Sequence, residues 1–147
     1  MKISDDDIER IVSAAETIEE SLSVLAAKQS LSRESYRADR ETRDVVERRF
    51  VKVTEATLDI ARTLVVHERG SPPKSNPATM LALDEVGVLN RTTTKEMVQA
   101  ARFRNVLAHT YGDAIDHDDV YAALQSLERY RDFLHDVRAY LDDTGAL

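Results

Sequence analysis

The sequence contains no cysteine. Disulfides, thiolate metal sites and cysteine nucleophiles are therefore excluded. Glycine and proline are scarce, with four and three residues, and every proline falls within Gly70-Ser71-Pro72-Pro73-Lys74-Ser75-Asn76-Pro77. That segment is the one strongly punctuated loop. It reads as a connection, because too little chain lies on either side for two cores. No run is long and apolar enough to cross a membrane. The start, Met1-Lys2-Ile3-Ser4-Asp5-Asp6-Asp7, turns acidic at once and lacks the apolar stretch of a signal peptide. A soluble cytoplasmic protein with no membrane partner is the expectation. Positive charge is also short: 20 Lys and Arg stand against 27 Asp and Glu, for a net charge of −7. Phosphate affinity comes mostly from Lys and Arg, so any contact with nucleic acid must be local.

What is present is helical periodicity. The 147 residues are enough for one domain, 1–147, with a real core. Ser4 suits an N-cap, with three aspartates at the positive end of the helix dipole. Ile8, Ile11, Ala15, Ile18, Leu22 and Leu25 then recur at steps of three and four. The serine-rich stretch from Lys28 to Arg37 holds the first turn. A second helix runs from about Asp39 to Glu68, with Val46, Phe50, Val53, Thr57, Ile60 and Leu64 as its stripe. Arg33, Arg37, Arg40, Arg43, Arg48 and Arg49 sit among acids there, which suits a solvated face laced with i,i+4 ion pairs, part of which could instead guide RNA or a partner.

Asn76-Pro77 reads as the cap and first residue of a short helix ending at Gly87. Thr93 with Glu96 is a capping-box signature for the next helix. Asp116 caps a last helix whose stripe is Val120, Leu124, Leu127, Leu134, Val137 and Leu141. The expected fold class is all-α: an antiparallel bundle of four longer helices plus a short one.

One segment concentrates chemistry: Arg104-Asn105-Val106-Leu107-Ala108-His109-Thr110-Tyr111. Arginine is a permanent cation whose planar fork fits phosphate oxygens. Histidine has its unperturbed pKa close to neutral and can exchange a proton there. At 100° per residue Ala100, Phe103 and Leu107 share the core face. Asn105 and His109 are an i,i+4 pair, Arg102 lies near His109 in angle, and Tyr111 returns to the side of Arg104 if the helix continues. The polar set is thus expected to converge on one surface, with Ala101 and Ala108 leaving room for a ligand or a helix. Such a set suits attack of an RNA 2′-hydroxyl on the adjacent phosphate. His109 would move the proton and Arg104 would stabilise the phosphorane. Asn105 would orient His109 or bind a phosphate oxygen, and no metal is required. The same residues also suit a plainer role. A histidine near a helix C-terminus complements the dipole, an asparagine bonds backbone, and a tyrosine packs. His67, His117 and His135 are scattered without metal-ligand spacing, and no glycine-rich phosphate loop or Ser-His-Asp set is visible.

Arg104-Asn105-x-x-x-His109-x-Tyr111, after Ala101-Arg102-Phe103, resembles the Arg-x4-His-x-Tyr motif of HepT-like toxins in the HEPN superfamily. Glu55-Ala56-Thr57-Leu58-Asp59-Ile60-Ala61, Leu83-Asp84-Glu85-Val86-Gly87-Val88-Leu89 and Ile115-Asp116-His117-Asp118-Asp119-Val120-Tyr121 resemble three further family segments. The resemblance covers most of the chain from about Asp39 onward. It implies a HEPN-like fold and a homodimer whose two motifs face a shared cleft. It implies a metal-independent RNase toxin of a type VII-like pair, needing no cofactor. Arg104 and His109 would be catalytic, with Asn105 and Arg102 in support. A cognate minimal nucleotidyltransferase antitoxin would neutralise it by transferring AMP to Tyr111. The alternative is a non-catalytic helical subunit that binds a nucleotidyltransferase through the same face. A third reading makes the segment a dimer seam.

Overall fold

The computed structural model of the chain describes residues 2–110 and 115–146. Those residues form seven helices and no strand: α1 (Asp5–Ala26), α2 (Arg33–Ala38), α3 (Arg40–Arg69), α4 (Asn76–Glu85), α5 (Arg91–His109), α6 (His117–Leu124) and α7 (Glu128–Asp143). The four longer helices alternate in direction. Glu20 of α1 meets Arg49 of α3 at one end, while Ile3 and His67 line a common cavity at the other. Thr54 and Glu68 of α3 reach Tyr130 and Tyr140 of α7, so those two helices run parallel. Asn90 and Glu96 reach Asp136 and Arg129, so α5 runs against α7.

Local chemistry accounts for most boundaries. Ser4 Oγ accepts the Asp7 N–H, closing a free donor at the start of α1. Asp39 caps α3 through the Thr42 N–H and also accepts the Thr42 hydroxyl. Both bonds favour its ionised form and hold its carboxyl below the usual range. At the far end of α3, Gly70 takes a left-handed conformation (φ 78°) and its N–H returns to Val66 O at 2.7 Å. The loop that follows begins there, where the Gly/Pro cluster placed it.

α3 is the central element. Every residue of its expected stripe is buried, and so are Ala56, Leu58, Ala61 and Val65, because the helix packs against α1, α4 and α5 at once. The core continues through Met80, Leu83, Met97, Phe133 and Val137 as one connected cluster. Phe50 meets Phe103 edge to face, with centroids 5.5 Å apart. The Thr54 and Tyr130 hydroxyls, both buried, bond each other at 2.9 Å. Burial pushes the Tyr130 phenol above its ordinary pKa, and the Thr54 bond offsets only part of that rise.

Four expectations about detail are corrected. α4 is capped by Ser75, with Asn76 and Pro77 already inside its first turn. α5 begins three residues early. Asn90 is the cap and its side chain accepts the Thr93 N–H, while Thr93 itself is buried in the core. The last helix is divided into α6 and α7 at Gln125–Leu127, although Asp116 caps α6 as expected. Finally, the arginine-rich stretch forms no i,i+4 ladder among the described residues. Arg33 and Arg37 pair with Asp118 of α6, and Arg49 with Glu20 of α1.

Candidate active site

α5 places the polar segment. Its core side is Met97, Ala100, Ala101 and Leu107, all buried, with Phe103 half-buried against Phe50. Ala101 is therefore part of the core, and its smallness serves close packing within the bundle. Of the two uses the sequence allowed for it, a ligand or the approach of another helix, the buried position fits the second.

Beside that core side, Arg104 lies on the flank facing α3. Its Nη2 donates to Glu55 Oε1, and its Nη1 donates to Asn105 Oδ1 at 3.5 Å. The Arg104 side chain is only 22% exposed, whereas Glu55 is 51% exposed. Asn105 Oδ1 accepts a second bond, from Asn76 Nδ2 at 3.0 Å. Asn76 Oδ1 in turn accepts from Arg62 Nη2 at 2.7 Å. One connected network thus joins α3 (Glu55, Arg62), the start of α4 (Asn76) and α5 (Arg104, Asn105). The Nε of Arg104 is shielded from solvent and has no partner among the described residues. A buried unpaired donor costs about 1–3 kcal/mol and calls for a reason.

The expected convergence on one surface is not what forms. Arg104 and Asn105 belong to the half-buried network. Arg102, Val106 and His109 are exposed and share a different flank, at i, i+4 and i+7, with Val106 58% exposed. Five residues of helix separate Arg104 from His109 by about 140° of rotation, and Asn105 lies between them in angle. Asn105 makes its side-chain bonds to Arg104 and Asn76, with none to His109. His109 is the last residue of α5, and Thr110 leaves the helix with extended backbone. Tyr111 lies outside the described residues.

Three members of the network, Glu55, Arg62 and Asn76, carried no functional role in the sequence. Glu55 and Arg62 are seven residues apart on α3, a spacing that puts them on one face. Nothing local tied that face to α5. Among the described residues, no group of three His, Asp or Glu could hold a metal ion.

The described residues form an all-helical bundle whose third long helix ends in an Arg–Asn–His segment. A family model described as "Ribonuclease HepT-like" matches residues 6–137, and the chain belongs to that family. No curated protein matches the chain. Several solved structures share the fold. A toxin–antitoxin crystal structure with AMP-PNP is 18% identical, with a TM-score of 0.81 over 89% of this chain and 98% of that one. A tri-AMPylated Shewanella oneidensis HEPN toxin in complex with an MNT antitoxin is 20% identical, with a TM-score of 0.72 over 92% and 98%. The cytosolic protein YutE of Bacillus subtilis, of unknown function, is 18% identical, with a TM-score of 0.80 over 98% and 95%. At these identities the likeness is one of fold.

Proposed function

We propose that the chain is the ribonuclease toxin of a toxin–antitoxin pair, cutting RNA without a metal. The observation that carries this reading is the placement of Arg104, within a chain of the HepT-like family. Its guanidinium is anchored on two sides, partly desolvated, and, among the described residues, neutralised only by a carboxylate that solvent reaches. A phosphate can replace that carboxylate as the fork's partner. In the reaction, the RNA 2′-oxygen loses its proton to a base and attacks the adjacent phosphorus. The P–O5′ bond breaks, and the departing 5′-oxygen takes a proton. The products are a 2′,3′-cyclic phosphate and a 5′-hydroxyl. His109, exposed at the helix end, moves the proton. Arg104 stabilises the negative charge that builds on the phosphorane. Asn105 fixes Arg104, and Arg102 adds an exposed cation on the His109 flank.

The flank of Arg102, Val106 and His109 supports a homodimer seam, because an exposed valine between two polar chemical groups gains by being covered. Two copies meeting there would bring both motifs into one cleft. Neutralisation by a nucleotidyltransferase antitoxin, through AMP placed on Tyr111, is supported by the AMPylated HEPN toxin of the same fold. A nucleotide beside Arg104 would compete with RNA phosphate for the guanidinium.

The test is cleavage of single-stranded RNA in EDTA by the wild type and by His109→Ala. Removing a proton-transfer group lowers the rate by about 10²–10⁴-fold. Because His109 is exposed, the variant keeps its thermal midpoint. A wild type that leaves RNA intact, or a variant that cleaves as well, refutes the assignment. One observation favours the non-catalytic reading: His109 bonds neither Arg104 nor Asn105. Under that reading the purified chain captures the nucleotidyltransferase and does nothing to RNA.

A further inference from the structure

Beside the motif, and not at it, lies an open groove of about 840 Å³ between α1 and α3. Its walls carry four cations, Arg10, Arg48, Lys52 and Arg62, against two acids, Glu55 and Asp59. This polarity is opposite to that of the whole chain, whose net charge is −7. One of the two acids, Glu55, already has Arg104 as its partner. Among the described residues, Arg10, Arg48 and Lys52 form no ion pair, whereas eight other arginines do.

We propose that this groove is a binding track for the RNA backbone, running along α3 and passing Arg104 at Glu55. The inference rests on the ribonuclease reading of the Arg104 site and extends it to the substrate. Two separate bridges connect groove and motif. Glu55 lines the groove and holds Arg104 directly. Arg62 lines it and reaches Asn105 through Asn76. Arg48, Lys52, Glu55, Asp59 and Arg62 recur at steps of three and four, so they form a single stripe on α3. At 1.5 Å of rise per residue, Arg48 and Arg62 are about 21 Å apart. At a stacked rise of about 3.4 Å, that length accepts about six nucleotides. The groove supplies the local positive charge that an acidic protein needs in order to hold a polyanion. The alternating cations and acids grade the track. Phosphates bind beside Arg48 and Lys52, are repelled at Asp59, and meet Arg104 once Glu55 gives way.

The experiment uses the full chain carrying His109→Ala, so that RNA survives, and a fluorescein-labelled 20-nucleotide oligouridylate. Anisotropy gives Kd across a KCl series. Single-strand affinity falls with log salt at a slope of about −0.7 per phosphate neutralised. Arg48→Gln with Lys52→Gln, both at exposed positions, should weaken binding about tenfold near 0.1 M KCl and flatten the slope by about 1.4. In the otherwise wild-type chain the same pair should raise KM and leave kcat unchanged. Arg131→Gln with Arg138→Gln, an equal loss of charge on the other flank of α1, should change neither affinity nor slope.

An unchanged Kd and slope in the Arg48/Lys52 variant overturn the proposal. So does a variant whose sedimentation shows a lost oligomer while RNA binding stays intact, since the groove is then an interface between copies. The two readings fail separately. Cleavage by the wild type with groove-independent binding removes the track and leaves the ribonuclease. Groove-dependent binding without cleavage removes the ribonuclease and leaves the track.

Discussion

Glu55→Gln is the substitution that most directly probes how Arg104 is used. The variant keeps the size of the side chain and an oxygen that still accepts from Arg104 Nη2, but removes the charge. Two unit charges about 4 Å apart attract by about 1 kcal/mol in water and about 4 kcal/mol at the effective dielectric of a protein surface. Glu55 is 51% exposed and Arg104 22%, so solvent screening brings the pair down to about 1 kcal/mol. If an RNA phosphate must take the place of that carboxylate, neutralising it releases this amount to binding. Since about 1.4 kcal/mol is a factor of ten, Kd for RNA should fall about fivefold. The gain should fade at high salt, where exposed charges are screened. The assay is anisotropy of a labelled single-stranded RNA on the His109→Ala background with and without Glu55→Gln, at two KCl concentrations. Tighter binding at low salt supports Glu55 as the ion that phosphate displaces. Unchanged or weaker binding refutes it, and Glu55 is then a holder of Arg104 whose negative charge the site needs.

Thr54→Val removes the partner of the buried Tyr130 hydroxyl and should cost about 1–3 kcal/mol in urea unfolding. Adding Tyr130→Phe removes the stranded hydroxyl and should restore much of that loss, whereas a simple sum of the two single effects would contradict the account. The Tyr130 phenol has a raised native pKa, so its contribution to stability is complete below the unfolded tyrosine value of about 10 and is lost as pH rises through the native one. Thermal midpoints should therefore decline above about pH 10, less steeply in Tyr130→Phe; identical alkaline limbs would exclude Tyr130 as the cause. Asn76→Ala cuts both of that residue's bonds, to Arg62 and to Asn105, and should cost about 1 kcal/mol. Its kcat for RNA should fall about tenfold with little change in KM, while an unaltered kcat would separate Asn76 from the site.

How much of this was legible beforehand depends on how far apart the interacting residues are. The stripes of α1 and α3 repeat every three or four residues, and caps such as Ser4 and Asp116 act within one turn, so a local window contains their causes. Where two cap-type residues lie close together, as Asn90 and Thr93 do, only the core decides. Thr93 is drawn inward and Asn90 is left to close the helix. The break between α6 and α7 has no glycine or proline to announce it. It is held by the turn after α1: Gln29 Nε2 donates to Leu124 O, a carbonyl that the interruption frees, and Gln125 Nε2 donates back to Gln29 O. α2, hidden in a stretch that reads as a turn, exists because Ser32 caps it and Tyr36 is buried against the bundle.

The sequence by itself determined the all-helical fold class and the apolar stripes of the long helices, because each depends on residues within a turn or two of one another. Only the tertiary structure decided which partners Arg104 has and where the positive groove lies. Glu55 is 49 positions from Arg104, and Asn76 is 29 from Asn105. Arg10 faces Arg48 and Lys52 only because α1 folds back along α3. No helical period spans such separations. They are set by which apolar faces bury against each other, and the charged side chains take their positions from that packing.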